Sequence, residues 1–190
     1  MKLNTPNKLT LLRIVLVPAY MIFLLLPQIP LNYLWAALMF SAAAYTDYLD
    51  GHIARKQSLV TNFGKFLDPL ADKMLVTAAL ICFVELGFIG SVVTVVIITR
   101  EFMVTSLRLI AAGEGTVIAA GMLGKIKTVT QIIVTLIIML MHQLITLGAL
   151  PAAFPHRIIS DILIWGVAAI TVISGVQYVW QNRHFINPEK

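Results

Sequence analysis

Long apolar runs, each closed by a short polar or turn-forming stretch, set the pattern of this chain. A helix that crosses a bilayer needs about 20 mostly apolar residues. Six stretches approach or exceed that length, at residues 9–26, 32–54, 66–87, 90–112, 124–147 and 157–181. The breakers between them are local. Pro27 and Pro30 separate the first two, the polar run 55–61 the next two, and Gly87 and Gly90 the third pair. Gly113, Gly115 and Gly121 mark a longer fourth connection, and Gly148, Pro151 and Pro155 the fifth. The pattern predicts an all-α integral membrane protein of six transmembrane helices with a short N-terminal interfacial segment, built as a single domain over residues 1–190. Thr5 is placed to cap the first helix with Pro6 at its first position. Asn7, Thr10 and Arg13 follow at three-residue spacing and share one flank, and Pro18 is expected to kink that helix without ending it.

Composition agrees with immersion in lipid. Hydrophobic residues make up 59% of the 190 and charged residues 12%, about half of what soluble domains carry. The lone Cys82 lies in an apolar run, so it reads as packing, with neither a disulfide nor a zinc site in prospect. No cleavable leader is evident at the N-terminus. The net charge of +5 matters less than its placement. Lys2, Lys8 and Arg13 lie near the N-terminus, Arg55, Lys56 and Lys65 around the second connection, Arg108, Lys125 and Lys127 around the fourth, and Arg183 and Lys190 in the tail. The first and third connections hold no Lys or Arg. This alternation predicts a multi-pass protein of the cell membrane with both termini and the second and fourth connections cytoplasmic.

Against that background the acidic residues stand out. A charged Asp in a span costs about 2.5–3.5 kcal/mol on insertion scales, yet Asp47, Asp50, Asp68 and Asp72 crowd the cytoplasmic ends of the second and third spans. Asp47, Asp50, Gly51 and Ala54 fall at i, i+3, i+4 and i+7, one stripe of a helix, and Gly64, Asp68 and Asp72 form another. Facing each other, the stripes would gather four carboxylates, a hard oxygen set suited to Mg²⁺, Mn²⁺ or Ca²⁺. Such ions commonly complete their shell with phosphates, and Arg55 at the rim suits one. An EF-hand is excluded, because the acidic positions do not alternate before the glycine. Simple pairing with Arg55, Lys65 and Lys73 would not require small residues on both stripes.

The segment Asp47-Tyr48-Leu49-Asp50-Gly51-His52-Ile53-Ala54-Arg55, followed after eight residues by Gly64-x3-Asp68-x3-Asp72, resembles the signature of the CDP-alcohol phosphatidyltransferases at all eight fixed positions. The resemblance extends to the six spans and the Pro6-Asn7 start. It implies that Asp47, Asp50 and Asp68 bind a divalent metal, Mg²⁺ or Mn²⁺, and that Asp72 joins the metal site and acts as the catalytic base. It further implies that Gly51, Ala54, Arg55 and Gly64 line a CDP-lipid site near Asn7 and Thr10, and that the protein is a homodimer.

The acceptor must be read from the second half. Glu101, Thr105 and Arg108 fall at i, i+4 and i+7, and Gly124, Lys127, Thr128 and Gln131 form a polar stripe with Lys125 beside it. Arg108, Lys125 and Lys127 would suit an acceptor that itself carries a phosphate, although positive-inside signalling and snorkelling also account for basic residues here. Arg100 lies deeper and needs a partner. Neighbours on a helix point apart, so Glu101 is not assumed to be it. Thr99-Arg100-Glu101-Phe102, Leu107-Arg108 and Gly124-Lys125-Ile126-Lys127-Thr128-x2-Gln131 are similar to segments of bacterial phosphatidylglycerophosphate synthases, a branch of the family. That likeness implies CDP-diacylglycerol and sn-glycerol 3-phosphate as substrates. Inositol, inositol phosphate or serine as acceptor stays open, as does, from a different class, a divalent-cation transporter, which would place its acids nearer mid-membrane. His52, His142, His156 and His184 are scattered and form no ligand set.

Overall fold

In a computed structural model of the chain, the described residues are 5–57, 62–116, 118–119, 121–151 and 153–186, without the side chains of 5–7, 47–57, 62–69, 72 and 186. Residues 1–4 of the expected N-terminal segment lie outside them. Six α-helices follow in order: α1 (Thr5–Leu25), α2 (Asn32–Gln57), α3 (Asn62–Glu85), α4 (Ser91–Gly113), α5 (Met122–Thr146) and α6 (His156–Gln181), then a 3₁₀ turn at Arg183–Ile186. Their ends fall within about four residues of those expected from the breakers, the usual uncertainty of such boundaries. α1 runs on through Pro18. Among the described residues, α1, α5 and α6 hold stretches long and apolar enough to cross a membrane. α4 falls short on charge, because Arg100, Glu101 and Arg108 interrupt it. The whole is an all-α membrane protein.

Two helix exits use glycine for a stated geometric reason. At the end of α5, the Gly148 N–H donates to the Ile145 carbonyl at 3.0 Å and the Ala149 N–H to the Leu144 carbonyl at 2.9 Å. At the end of α4, Gly115 donates to Ala112 at 3.1 Å and Thr116 to Ala111 at 2.9 Å. Both are Schellman closures, which need a residue at positive φ. Gly115 and Gly148 supply it at +76° and +71° without a Cβ clash.

The helices sort into two compact units. The first takes residues 1–86 and 136–154, and the second takes 87–135 and 155–190. In the first unit α1 packs on α2 and α3. Its core repeats at helical spacing: Val17, Tyr20 and Leu24 on α1, Ala36, Phe40 and Ala43 on α2, and Ala71, Leu75 and Ala79 on α3, all nearly inaccessible. The Tyr20 and Phe40 rings lie 5.7 Å apart and those of Phe23 and Trp35 6.3 Å apart. Going up α1 therefore means going down α2, the antiparallel pairing a short connection favours. Gln143 of α5 accepts the Leu34 N–H at 3.0 Å through its side-chain oxygen, satisfying one of the donors that every helix start leaves open. Cys82 is buried in this unit as a free thiol.

In the second unit α4 packs on α6. α4 buries Val93, Ile97, Arg100, Val104, Leu107 and Ala111, and α6 buries Ile164, Val167, Ala168, Thr171, Ser174, Gly175 and Tyr178. Three and four residues alternate along both, as two packed helical stripes require. Most of each stripe is apolar, but its middle is not.

Candidate active site

The acidic signature lies where α2 ends and α3 begins. Asp47, Asp50, Gly51, Ala54 and Arg55 belong to the last turns of α2, and Gly64, Asp68 and Asp72 to the first turns of α3. Their side chains lie outside the described residues, as does that of Asn7. The backbone register still says which stripe each position continues. On α2 the buried series Ala36, Phe40, Ala43 runs on at the same spacing to positions 47, 50 and 54. On α3 positions 68 and 72 lie one heptad before the buried Leu75 and Ala79. Asp47 and Asp72 are each ten residues from the helix end at the connection, or roughly 15 Å along each axis. The two stripes thus match in level along their helices as well as in type.

α1 contributes to the same end of the first unit. Its buried stripe runs back from Leu24, Tyr20 and Val17 to Arg13 and Thr10, which are 2% and 1% exposed. Extending the antiparallel register of the Tyr20–Phe40 and Phe23–Trp35 pairs brings Thr10 roughly level with the Asp47–Asp50 turn. Both Thr10 and Arg13 are engaged in polar or electrostatic interactions. Polar side chains so fully buried require such partners.

The second unit holds the basic residues, and here the side chains are described. One carboxylate oxygen of Glu101 accepts from Arg100 Nη1 at 2.9 Å and from Lys127 Nζ at 2.5 Å. Arg100 Nη2 donates to Ser174 Oγ at 2.9 Å, and Ser174 donates in turn to the Thr171 carbonyl at 3.0 Å. A line of hydrogen bonds so joins α6, α4 and α5. Arg100, Glu101 and Lys127 are 9%, 8% and 2% exposed. Arg108 is different. It is exposed, donates from Nε to the Tyr178 hydroxyl at 3.1 Å, and holds its guanidinium 5.3 Å from that ring's centre. Lys125 is exposed.

One sequence expectation changes here. Glu101 does serve Arg100, although they are neighbours on one helix. The Arg100 stem can lie across α6 because Gly175 has no side chain: a Cβ there would meet Arg100 Cγ at 2.7 Å. The guanidinium is then turned back to its own neighbour. Lys127, in the polar stripe that begins α5, is not an exposed group at the membrane surface: it is buried and bonded to Glu101, and Gln131 one turn on is buried too. Thr128 and Lys125 of the same stripe stay exposed. Sequence reasoning passed over Thr171, Ser174, Gly175 and Tyr178. Small and polar residues at i, i+3, i+4 and i+7 inside an apolar span were the available sign.

A model of the CDP-alcohol phosphatidyltransferase family matches residues 3–173. The chain belongs to this family. A CDP-diacylglycerol–glycerol-3-phosphate 3-phosphatidyltransferase of Bacillus subtilis is 46% identical, over 94% of this chain and 95% of its own length. Proteins of the same name from Haemophilus influenzae and Rickettsia bellii are 36% and 34% identical, covering 94% and 92% of this chain and 93% of each relative. The matched region contains both aspartate stripes and the basic residues of the second unit. For a CDP-alcohol phosphatidyltransferase the donor set fits a hard divalent cation: four carboxylate residues on two consecutive helices, with no soft ligand among them. Among the described residues no group of three or more His, Cys, Asp or Glu gathers elsewhere as a rival metal site.

Proposed function

We propose that this chain transfers the phosphatidyl group of CDP-diacylglycerol to sn-glycerol 3-phosphate, forming phosphatidylglycerophosphate and CMP. The observation that carries the reaction class is the eight-position aspartate signature on the adjoining ends of α2 and α3. The acceptor follows from the relatives, whose names specify it over nearly their full lengths.

Asp47, Asp50, Asp68 and Asp72 would hold Mg²⁺ or Mn²⁺, and the chemistry such an ion supplies when bound is neutralisation of the donor's pyrophosphate charge. Asn7, Thr10, Gly51, Ala54, Arg55 and Gly64 bind the CDP-lipid. The small residues among them let a nucleotide approach the helix backbone, and Arg55 takes phosphate charge. Asp72 accepts the proton of the acceptor hydroxyl as general base. The hydroxyl oxygen bonds to the lipid-side phosphorus, the bond from that phosphorus to the bridging oxygen breaks, and CMP leaves with the electron pair. Arg108, Lys125 and Lys127 receive the acceptor's own phosphate. The lipid tails stay in the bilayer, with the site and both termini on the cytoplasmic side of a bacterial membrane. The chain works as one catalytic domain and as a homodimer.

Release of CMP from CDP-diacylglycerol by purified protein, with each acceptor offered in turn, tests this assignment. Turnover with sn-glycerol 3-phosphate is expected. Turnover with inositol phosphate, inositol or serine in its place would overturn the acceptor and leave the reaction class standing.

A further inference from the structure

The acceptor site as proposed leaves one feature of the second unit unexplained. Arg100, Glu101 and Lys127 bring two cations to a single carboxylate, buried to about nine-tenths or more. Burying ions is expensive, and replacing such a cluster by apolar residues is often neutral or stabilising. Stability alone is therefore a poor reason to keep it.

Geometry shows how the charges are ordered. Arg100 is held from both sides, by Ser174 at 2.9 Å and by Glu101 at 2.9 Å. Its stem is seated on Gly175, where any side chain would collide with it. Arg100 is thereby anchored to α6 and in turn anchors the Glu101 carboxylate. The same carboxylate oxygen receives Lys127 at 2.5 Å. Lysine has a flexible stem with no fixed fork and needs an external partner to define where its ammonium stands. Glu101 provides such a partner, one carboxylate oxygen receiving both cations.

We infer that Glu101 is a positioning residue: braced from α6 through Arg100, its carboxylate fixes the Lys127 ammonium where the acceptor's phosphate binds. Glu101 acts through Lys127 and does not touch the substrate. The inference rests on the proposed role of Lys127 at the acceptor site, and the test separates the two.

Steady-state kinetics of CMP release decides it, with KM measured separately for sn-glycerol 3-phosphate and CDP-diacylglycerol. Glu101→Gln keeps the shape and removes the charge. It is expected to raise the acceptor KM roughly tenfold to a hundredfold, the range of one hydrogen bond to a charged group, with the CDP-diacylglycerol KM unchanged. Glu101→Asp is expected to recover part of the loss. In a Lys127→Met background, Glu101→Gln should add no further rise, because a residue acting only through another has nothing left to position. Equal rises in both KM values, or multiplicative effects in the double variant, would overturn the inference while the acceptor site stands. An unchanged acceptor KM in Lys127→Met alone would remove that site and the inference with it. Should Glu101→Gln fail to fold, Ser174→Ala releases the α6 brace without touching a charge. A selective rise of about threefold in acceptor KM, the size of a weak neutral hydrogen bond, is then expected, and no selective change would count against the inference.

Discussion

Gln131 shows at single-residue scale what a functional stripe leaves behind in the core. It is 2% exposed, and neither its Nε2 nor its Oε1 has a hydrogen-bond partner among the described residues. A buried polar group left unsatisfied costs about 1–3 kcal/mol. Leucine has nearly the same volume and no such need. Gln131→Leu is therefore expected to raise the thermal unfolding temperature of the detergent-purified protein by several degrees, since about 1 kcal/mol shifts it by ~2–4 °C at this chain length. Thr171→Val is a second case, because Thr171 Oγ1 is also buried without a partner. A fall in both variants would mean that these groups are satisfied by ordered water, as buried polar groups often are. Lys127 and Arg100 make the opposite point. Each is buried but bonded to Glu101, so truncation there removes a charged hydrogen bond from a buried carboxylate and is expected to destabilise.

At the scale of elements, much of the fold was legible in the sequence, because helix ends in a membrane chain are written in proline, glycine and charge. Gly87, Gly115 and Gly148 stand at helix exits with positive φ, where breakers alone had placed the connections. The acidic stripes were legible too, since a periodic row of carboxylates has no bland explanation in a span. The α6 side of the second unit was not. Ser174 and Gly175 read as ordinary small residues until Arg100 is seen lying on one and bonded to the other. Side-chain reach across helices, as in the Arg100–Glu101 pair, has no counterpart in a one-dimensional pattern. The glycines also give a paired prediction. Gly148 has φ +71° and Gly166 sits within α6, and neither would bring a Cβ within 4 Å of a neighbour. Gly148→Ala should destabilise by ~1 kcal/mol or more through backbone strain. Gly166→Ala should stabilise by roughly 0.5–1 kcal/mol through helix propensity. Unfolding temperatures that move the same way in both variants would contradict the Schellman closure at α5.

For the whole molecule the decisive quantity is how many helices cross the bilayer. On apolarity alone α1, α5 and α6 qualify among the described residues. If only those crossed, the first and fifth connections would lie on opposite sides, and so would the two termini. Arg55, Lys56 and Lys65, together with the charged start of α5, would then face the exterior with the uncharged first connection, against the positive-inside rule. If all six cross, the first, third and fifth connections share the outer side, and every Lys and Arg cluster except Arg157 is cytoplasmic. The lone Cys82 is buried at 1%, so Cys82→Ala gives a background with no cysteine of its own. Single cysteines can then replace the exposed Gln28, Glu114, Ala149 and Arg183. With six crossings, a membrane-impermeant maleimide should label positions 28 and 149 on intact spheroplasts, and positions 114 and 183 only in inverted vesicles. With three crossings, position 114 would label with 28 and opposite to 149. The six-crossing pattern also puts the ends of α2 and α3 that carry Asp47, Asp50, Asp68 and Asp72 on the side where a nucleotide-linked donor and a phosphorylated acceptor are made. Labelling of 149 from the cytoplasmic side would break that placement, and with it the site's access to both substrates.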